Sequence, residues 1–161
     1  MNYPQVEGRL EKNYSLKKLC TWRIGGNADA VFWPESIQDL VRMVRWCKQN
    51  GVPVFMLGRG SNVLLPDAGL RGLVVVTTGL NRITWQQQTV TVEAGYSLML
   101  LAREAAAKGL QGLEFACGIP GTVGAAVAIN AGAHGASIGD LVRQITVLTA
   151  EAQIEIGRAH V

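Results

Sequence analysis

The amino-acid sequence predicts an α+β fold that is divided into two lobes. Segments with the apolar period of an amphipathic helix alternate along the chain with short apolar runs that are typical of strands. Two glycine-rich segments, at positions 58–62 and 118–135, interrupt this alternation. We expect a first lobe of residues 1–78 and a second lobe of residues 79–155.

The first lobe is predicted to contain strands on either side of a helix. Residues 28–33 (ADAVFW) have the composition of a short strand. Ser36 then stands at the position of an N-cap, and apolar residues recur at helical spacing until Gly51 ends the helix. Residues 52–57 are an apolar run rich in strand formers, and residues 73–77 are predicted to be a buried strand.

The second lobe repeats this mixture of elements. Residues 83–85 and 89–94 are predicted strands, and TVTVEA in the second of them alternates as a half-buried strand does. Ser97 is expected to cap a second helix that Gly109 ends. Residues 142–148 are the last predicted strand.

Composition and charge argue against several classes of function. The formal net charge is +3 and the charges are interspersed, so no nucleic-acid partner is expected. Cys20, Cys47 and Cys117 form no CxxC pair and the first residues contain no apolar leader, so we expect a reducing, cytoplasmic environment. With His134 and His160 as the only histidines, no histidine-based zinc site is expected.

The uncharged stretch at residues 115–139 is not expected to insert into a membrane. A spanning helix needs about 20 predominantly apolar residues. Glycines, a proline, Asn130 and His134 interrupt this stretch, so that its continuous apolar part covers only residues 125–129. A role in contacting a ligand or in close packing is therefore favoured.

The first glycine segment (GRGSN, residues 58–62) follows a predicted strand and is a candidate anion-binding loop. Its glycines permit positive φ and close backbone approach, and successive N–H groups can then surround a phosphate. Ser61 and Asn62 add side-chain donors. No Gly-Lys-Ser/Thr follows, and Val63 occupies the place of the third glycine of a dinucleotide fingerprint. A tight structural turn is the alternative for this loop taken alone.

The second glycine segment has a regular spacing. Gly118, Gly121 and Gly124 recur every third residue, and Pro120 fixes φ between the first two. The loop leads into a short predicted helix at residues 125–129, whose N-terminus should offer free N–H groups to an anion. A close crossing of a helix and a strand is the alternative. Two such loops in one small protein favour a dinucleotide ligand over two structural turns.

Three further residues are weaker candidates. His134 could contact a ligand or be purely structural. Cys117 is expected to be a small buried residue. Ser61 has no obvious histidine partner, so a hydrolase triad is not supported.

Three motifs together resemble one enzyme family: TWRIGGNADAVFWP, LGRGSNVLLPDAGLRGLVV and LEFACGIPGTVGAAVAINAGAHG. They resemble UDP-N-acetylenolpyruvoylglucosamine reductase (UDP-N-acetylmuramate dehydrogenase) over roughly residues 15–154, in family order. The resemblance implies a two-lobed FAD-binding domain of the vanillyl-alcohol-oxidase type. It also implies non-covalent FAD, NADPH as the hydride donor, and a UDP-sugar enolpyruvyl ether as the substrate, in peptidoglycan precursor synthesis.

The resemblance further implies which residues bind the cofactor. The FAD pyrophosphate is expected on Gly58, Arg59, Gly60, Ser61 and Asn62. The rest of the cofactor is expected along Gly118, Ile119, Pro120, Gly121, Thr122 and Gly124, and its flavin or substrate end near Asn130, Gly132 and Ala133. The chain departs from the family at Ala125, where a glycine is common. We expect the extra methyl group to be tolerated if this residue is helical.

Some residues that the resemblance implies do not occur in these 161 residues. The Tyr-Arg-x-Ser motif is absent, and the proton-donor serine and the glutamate of a third, substrate-binding lobe have no counterpart. We therefore assign no catalytic residue and expect these residues alone to bind FAD weakly and to be inactive. Residues 156–161 (IGRAHV) match one reading frame of a common sequencing adapter, so we expect a non-native tail there.

Two alternative functions stay open. A non-catalytic module that binds flavin or a partner fits a sequence without the catalytic motifs. A related FAD oxidase is the other alternative, and many such oxidases attach their flavin covalently through a histidine or a cysteine.

Overall fold

The computed structural model describes residues 2–158 of the chain. Within this range the chain forms three α-helices and ten strands, several of them only two to five residues long. Residues 159–161 of the expected tail lie outside the described residues, as does His160. Residues 156–158 belong to the last strand.

A four-stranded mixed sheet forms the first part of the fold. Its strands are β1 (Arg9–Ser15), β2 (Asn27–Trp33), β3 (Val54–Leu57) and β4 (Leu70–Val76), in the order β1-β2-β4-β3. The central strands β2 and β4 are parallel, β3 is also parallel to β4, and β1 is antiparallel to β2. The helix α1 (Ile37–Gln49) connects β2 to β3 and covers one face of the sheet.

The N-terminus of α1 confirms the predicted cap. The Ser36 hydroxyl accepts a hydrogen bond from the N–H of Asp39 at 3.1 Å. One face of the helix buries apolar side chains against β2 and β4, and the members of this cluster include Leu40, Met43, Cys47, Phe32 and Val75. Burial raises the pKa of the Cys47 thiol to about 11, so this cysteine behaves as a small apolar residue.

Asp39 attaches the N-terminal segment to the start of α1. Its side chain is almost wholly buried, with 1% of the residue exposed. Its carboxylate accepts hydrogen bonds from the N–H groups of Gly8 at 2.8 Å, Glu7 at 3.0 Å and Glu35 at 3.4 Å. Its position in the first turn of α1 is also favourable for a negative charge. Backbone donors and the helix dipole therefore compensate this buried charge.

The second part of the fold begins with a hairpin and a helix. The strands β5 (Ile83–Gln86) and β6 (Thr89–Val92) pair antiparallel, and α2 (Leu98–Ala107) follows. Ser97 caps α2 as predicted, because its hydroxyl accepts from the N–H of Leu100 at 3.4 Å. The short helix α3 (Val123–Ala128) comes after the second glycine segment.

Two further antiparallel pairs complete the described chain. The strands β7 (Gly132–Ala133) and β8 (Ala136–Ser137) form a minimal hairpin. The strands β9 (Gln144–Leu148) and β10 (Ile154–Arg158) form the last pair.

Each of the two parts of the fold is stabilised by apolar clusters of its own. The first sheet has one cluster on each face, and the face away from α1 buries Leu16, Val31 and Val74. The second part has its own cluster, which includes Leu98, Phe115 and Ile138. The boundary near residues 78–79 stays a prediction. Among the described residues, no helix is long and apolar enough to cross a membrane.

We predict that Asp39→Asn lowers the free energy of unfolding by about 2–3 kcal/mol, because hydrogen bonds to a charged acceptor are lost in a buried place. Asp67→Asn is the matched control, since Asp67 is exposed and its side chain makes no hydrogen bond to a described residue. Urea denaturation of both variants measures the difference. Equal stability of the two variants would contradict the role assigned to Asp39.

Candidate cofactor-binding site

The first glycine segment lies directly after β3 and rests on backbone from the start of the chain. Gly60 has a φ of +66°, and a Cβ there would collide with the carbonyl oxygen of Leu19. The carbonyl of Gly60 accepts a hydrogen bond from the N–H of Thr21 at 3.0 Å. Only glycine therefore fits at this position, for reasons of both conformation and space.

The N–H groups of residues 59–62 are available to a ligand. None of these four groups donates to any residue that the structure describes. Arg59 and Asn62 are exposed, but Gly60 is buried. A buried N–H without a partner is rare in proteins, and successive N–H groups around a left-handed residue suit an anion. The loop therefore has the free donors that an anion site requires.

The second glycine segment shows one prediction to be wrong. α3 begins at Val123, and its first N–H groups are not free. Val123 donates to the carbonyl of Tyr96 at 2.9 Å, and Gly124 donates to the carbonyl of Ala94 at 2.8 Å. The N–H of Ala125 reaches the Thr122 hydroxyl at 3.4 Å. The protein itself thus occupies the helix terminus.

The free donors of this segment lie just before the helix. The N–H groups of Gly121 and Thr122 donate to no described residue, although Thr122 is only 1% exposed. Ala125 is part of α3 and does not have a positive φ, so its methyl group needs no special conformation. The condition on which alanine was expected to be tolerated, a helical residue at this position, is therefore met.

The structure brings the two glycine segments into contact. The Ser61 hydroxyl donates a hydrogen bond to the carbonyl of Pro120 at 2.9 Å, across 59 residues of sequence. A Cβ on Gly58 would lie 2.6 Å from the Thr122 hydroxyl oxygen and 3.5 Å from the Ala125 Cβ. The segments can therefore approach this closely only because residue 58 has no side chain.

The remaining predicted site residues also belong to the second part of the fold. Gly118 has open space around it, and Ile119 packs against the core. Asn130, Gly132 and Ala133 follow the C-terminal end of α3, and the helix itself is about 9 Å long. The Asn130 side-chain oxygen accepts from the N–H of Gly139 at 2.9 Å, which closes the loop around the β7–β8 hairpin.

Cys117 and His134, two of the weaker candidates, are both exposed. Cys117 is exposed rather than buried. It lies in a 3-10 helix (Glu114–Gly118) whose inward side chains are Phe115 and Ala116, and this turn leaves Cys117 on the outer side. His134 is an exposed residue at the turn of the β7–β8 hairpin, with a φ of +55°. The structural role of His134 in this turn is therefore enough to account for its conformation.

Sequence reasoning missed the residues that support the glycine segments. The backbone of residues 19–21 holds the first segment, and the carbonyls of Ala94 and Tyr96 hold the second. Tyr96 is itself anchored, since its hydroxyl donates to a carboxylate oxygen of Glu104 at 2.6 Å. This hydrogen bond raises the pKa of Tyr96 to about 12, so the phenol stays neutral. The motif containing Thr21 was the only sequence signal for any of these contacts.

A groove of about 430 Å³ lies away from both glycine segments. Its walls come from the outer face of α1 and from β10, and they include Ile37, Arg42, Trp46 and Ile154. It shares no residue with the segments that carry the unpaired N–H groups. Since free donors and glycine packing identify a site more directly than concavity does, the glycine segments are the better candidate.

The fold and the two joined glycine segments define a domain that binds an anionic cofactor. Residues 28–156 match the family described as "FAD binding domain". The chain belongs to this family.

Relatives and solved structures agree with this assignment. The chain is 43% identical over 92% of its length to UDP-N-acetylenolpyruvoylglucosamine reductase 2 of Symbiobacterium thermophilum, of which it covers 48%. It also matches the crystal structure of UDP-N-acetylenolpyruvylglucosamine reductase from Thermus caldophilus, with a TM-score of 0.79 and 31% identity, over 94% of this chain and 53% of that one. The resemblance found in the three motifs is thereby confirmed.

A more distant structure supports the fold alone. The BBE-like 1 variant D396N of Physcomitrella patens matches with a TM-score of 0.70 and 17% identity, over 95% of this chain and 36% of that one. The fold is thus the two-lobed α+β FAD-binding domain of the vanillyl-alcohol-oxidase type. The chain spans about half the length of the curated relatives that it matches.

We predict that Gly58→Ala destabilises the fold by about 1–3 kcal/mol, because its methyl group overpacks against Thr122. Gly118→Ala is the matched control, since a Cβ there meets nothing within 4 Å. Thr122→Ala should create room, so the cost of Gly58→Ala should shrink in that background. A double-mutant cycle by thermal unfolding measures this coupling, and additive costs would show that the two residues do not contact each other.

Proposed function

We propose that the chain forms the FAD-binding part of a UDP-N-acetylenolpyruvoylglucosamine reductase. Such an enzyme uses NADPH to reduce the enolpyruvyl ether of UDP-N-acetylglucosamine to UDP-N-acetylmuramate, for peptidoglycan precursor synthesis. The observation that carries the proposal is the pair of contacting glycine segments with unpaired N–H groups. The names of the relatives support the substrate, although the chain spans only about half their length.

The proposed binding mode uses backbone donors first. The N–H groups of residues 59–62 would hold the pyrophosphate, together with those of Gly121 and Thr122. Arg59 is exposed and its guanidinium makes no hydrogen bond or ion pair to a described residue, so it is available to a phosphate. These donors fit an acceptor-rich, doubly charged group.

Other residues are proposed to line the cofactor by shape. Gly118, Ile119, Pro120 and Gly124 present backbone and small apolar surface, and residues 115–139 contain no charged side chain. Asn130, Gly132 and Ala133, beyond the other end of α3, are proposed for the flavin or substrate end. Bound FAD would supply the hydride-transfer chemistry, while the chain binds and orients it.

The proposed location is the bacterial cytoplasm. Cys20, Cys47 and Cys117 are all free thiols in the structure, which supports a reducing environment. We propose that these 161 residues alone bind FAD without turning over the substrate, because the implied catalytic motifs do not occur among them.

We predict that Gly60→Ala weakens FAD binding at least about tenfold, a loss of about 1.4 kcal/mol, because its Cβ would displace the loop from Leu19. Gly51→Ala is the matched control, since Gly51 has a nearly identical φ of +65° but nothing within 4 Å of its Cβ position. Titration of each variant with FAD, followed by flavin fluorescence, gives the dissociation constants.

A second variant keeps this test decisive if Gly60→Ala does not fold. Arg59→Ala removes only an exposed cation and should weaken FAD binding up to about fivefold. The exposed Arg103 on α2 provides the control Arg103→Ala. Unchanged FAD affinity in Gly60→Ala, or in Arg59→Ala where Gly60→Ala does not fold, would exclude this loop as the pyrophosphate site.

One observation favours a second candidate, a related FAD oxidase with covalent flavin. Cys117 is exposed at the start of the second glycine segment, where a thiol could reach a bound cofactor. We nevertheless predict that acid precipitation of the FAD-loaded protein releases all of the flavin into the supernatant. Flavin retained in the wild-type pellet but lost from that of Cys117→Ser would instead establish a covalent flavoprotein.

A further inference from the structure

Ser61 makes the one hydrogen bond between residues 58–62 and residues 118–124 in the part of the chain that the structure describes. Its hydroxyl oxygen lies 2.9 Å from the carbonyl oxygen of Pro120. A carbonyl can only accept, so the single hydroxyl proton of Ser61 must point at Pro120. The same hydroxyl can still accept a hydrogen bond, but it has no second proton to donate.

This geometry conflicts with a direct role of the Ser61 side chain on a pyrophosphate. The oxygens of an ionised pyrophosphate diester are acceptors and need donors. The backbone N–H of Ser61 is free for that purpose, whereas its hydroxyl proton is engaged. We propose that the Ser61 side chain is a positioning residue, which holds Pro120 and Gly121 against the first glycine segment. This inference rests on the proposed FAD-binding function.

Apart from the packing of Ile119 against the apolar cluster of the second part and the hydrogen bond from Leu98 to Gly121, the segment around Pro120 has few attachments. Gly118 has no atom within 4 Å of its Cβ position, Pro120 is exposed, and Gly121 has a φ of +152°. Proline also has no N–H through which it could be held. The Ser61 hydroxyl is therefore the only side-chain hydrogen-bond partner of this stretch among the described residues.

One amide reports on whether the segment stays in place. The N–H of Leu98 donates to the carbonyl of Gly121 at 3.2 Å. Leu98 is the first residue of α2, so its N–H has no partner within the helix. If Gly121 moves, this amide loses its acceptor and exchanges faster with solvent. The N–H of Leu101 donates to the carbonyl of Ser97 at 3.0 Å and serves as the internal reference.

The experiment measures amide hydrogen exchange in the cofactor-free protein by NMR, and FAD affinity in parallel. For Ser61→Ala we expect exchange at Leu98 to rise about tenfold, with no change at Leu101, because the segment opens locally. We expect FAD affinity to fall about fivefold in the same variant. Ser61→Thr keeps the hydroxyl and should restore both values.

Asn62→Ala is the comparison variant within the same loop. Asn62 is exposed and its side chain makes no hydrogen bond to a described residue, so its loss should leave exchange at Leu98 unchanged. A Ser61→Ala protein with weaker FAD binding but unchanged exchange at Leu98 would make Ser61 a phosphate donor and overturn the inference. Wild-type protein that binds no FAD would instead overturn the proposed function, and with it this role of Ser61.

Discussion

The close contact between the two glycine segments is the constraint on which the candidate site depends. Gly58 lies against Thr122, and Ser61 is hydrogen-bonded to Pro120, so neither segment can shift without the other. Each segment is fixed by a different part of the fold. The first segment directly follows β3 of the four-stranded sheet, and the carbonyls of residues 94 and 96 in the second part hold the second segment. A change in either apolar core that displaces one glycine segment would therefore also alter the geometry of the candidate site.

The elements that local sequence determines could be predicted well. The caps at Ser36 and Ser97, together with the apolar period that follows each of them, placed α1 and α2 within a residue or two. The buried strand β4 followed from a continuous run of apolar residues, because both of its faces are covered. The two glycine segments were found as candidates because glycine spacing is itself a local property.

What depends on distant partners could not be predicted. β1 has the polar sequence RLEKNYS and lies at the edge of the sheet, so no apolar pattern marks it. The N–H groups of α3 were expected to be free because their acceptors, the carbonyls of Ala94 and Tyr96, are far away in sequence. Cys117 was expected to be buried because the direction of one short 3-10 helix turn decides its exposure.

The absence of charged side chains from residues 115–139 has a physical explanation in these unpaired donors. Burying a lysine or arginine beside a phosphate requires removing both charges from water, which costs several kcal/mol per ion. Backbone N–H groups carry only partial charges, and those of Gly60 and Thr122 are shielded by the fold before any ligand arrives. The full positive charge of Arg59 stays at the exposed rim, where it keeps its hydration and can attract an anion from solution. In the proposed binding mode, backbone N–H groups would hold the phosphate and Arg59 would attract it from solution, so the glycine segments can remain neutral.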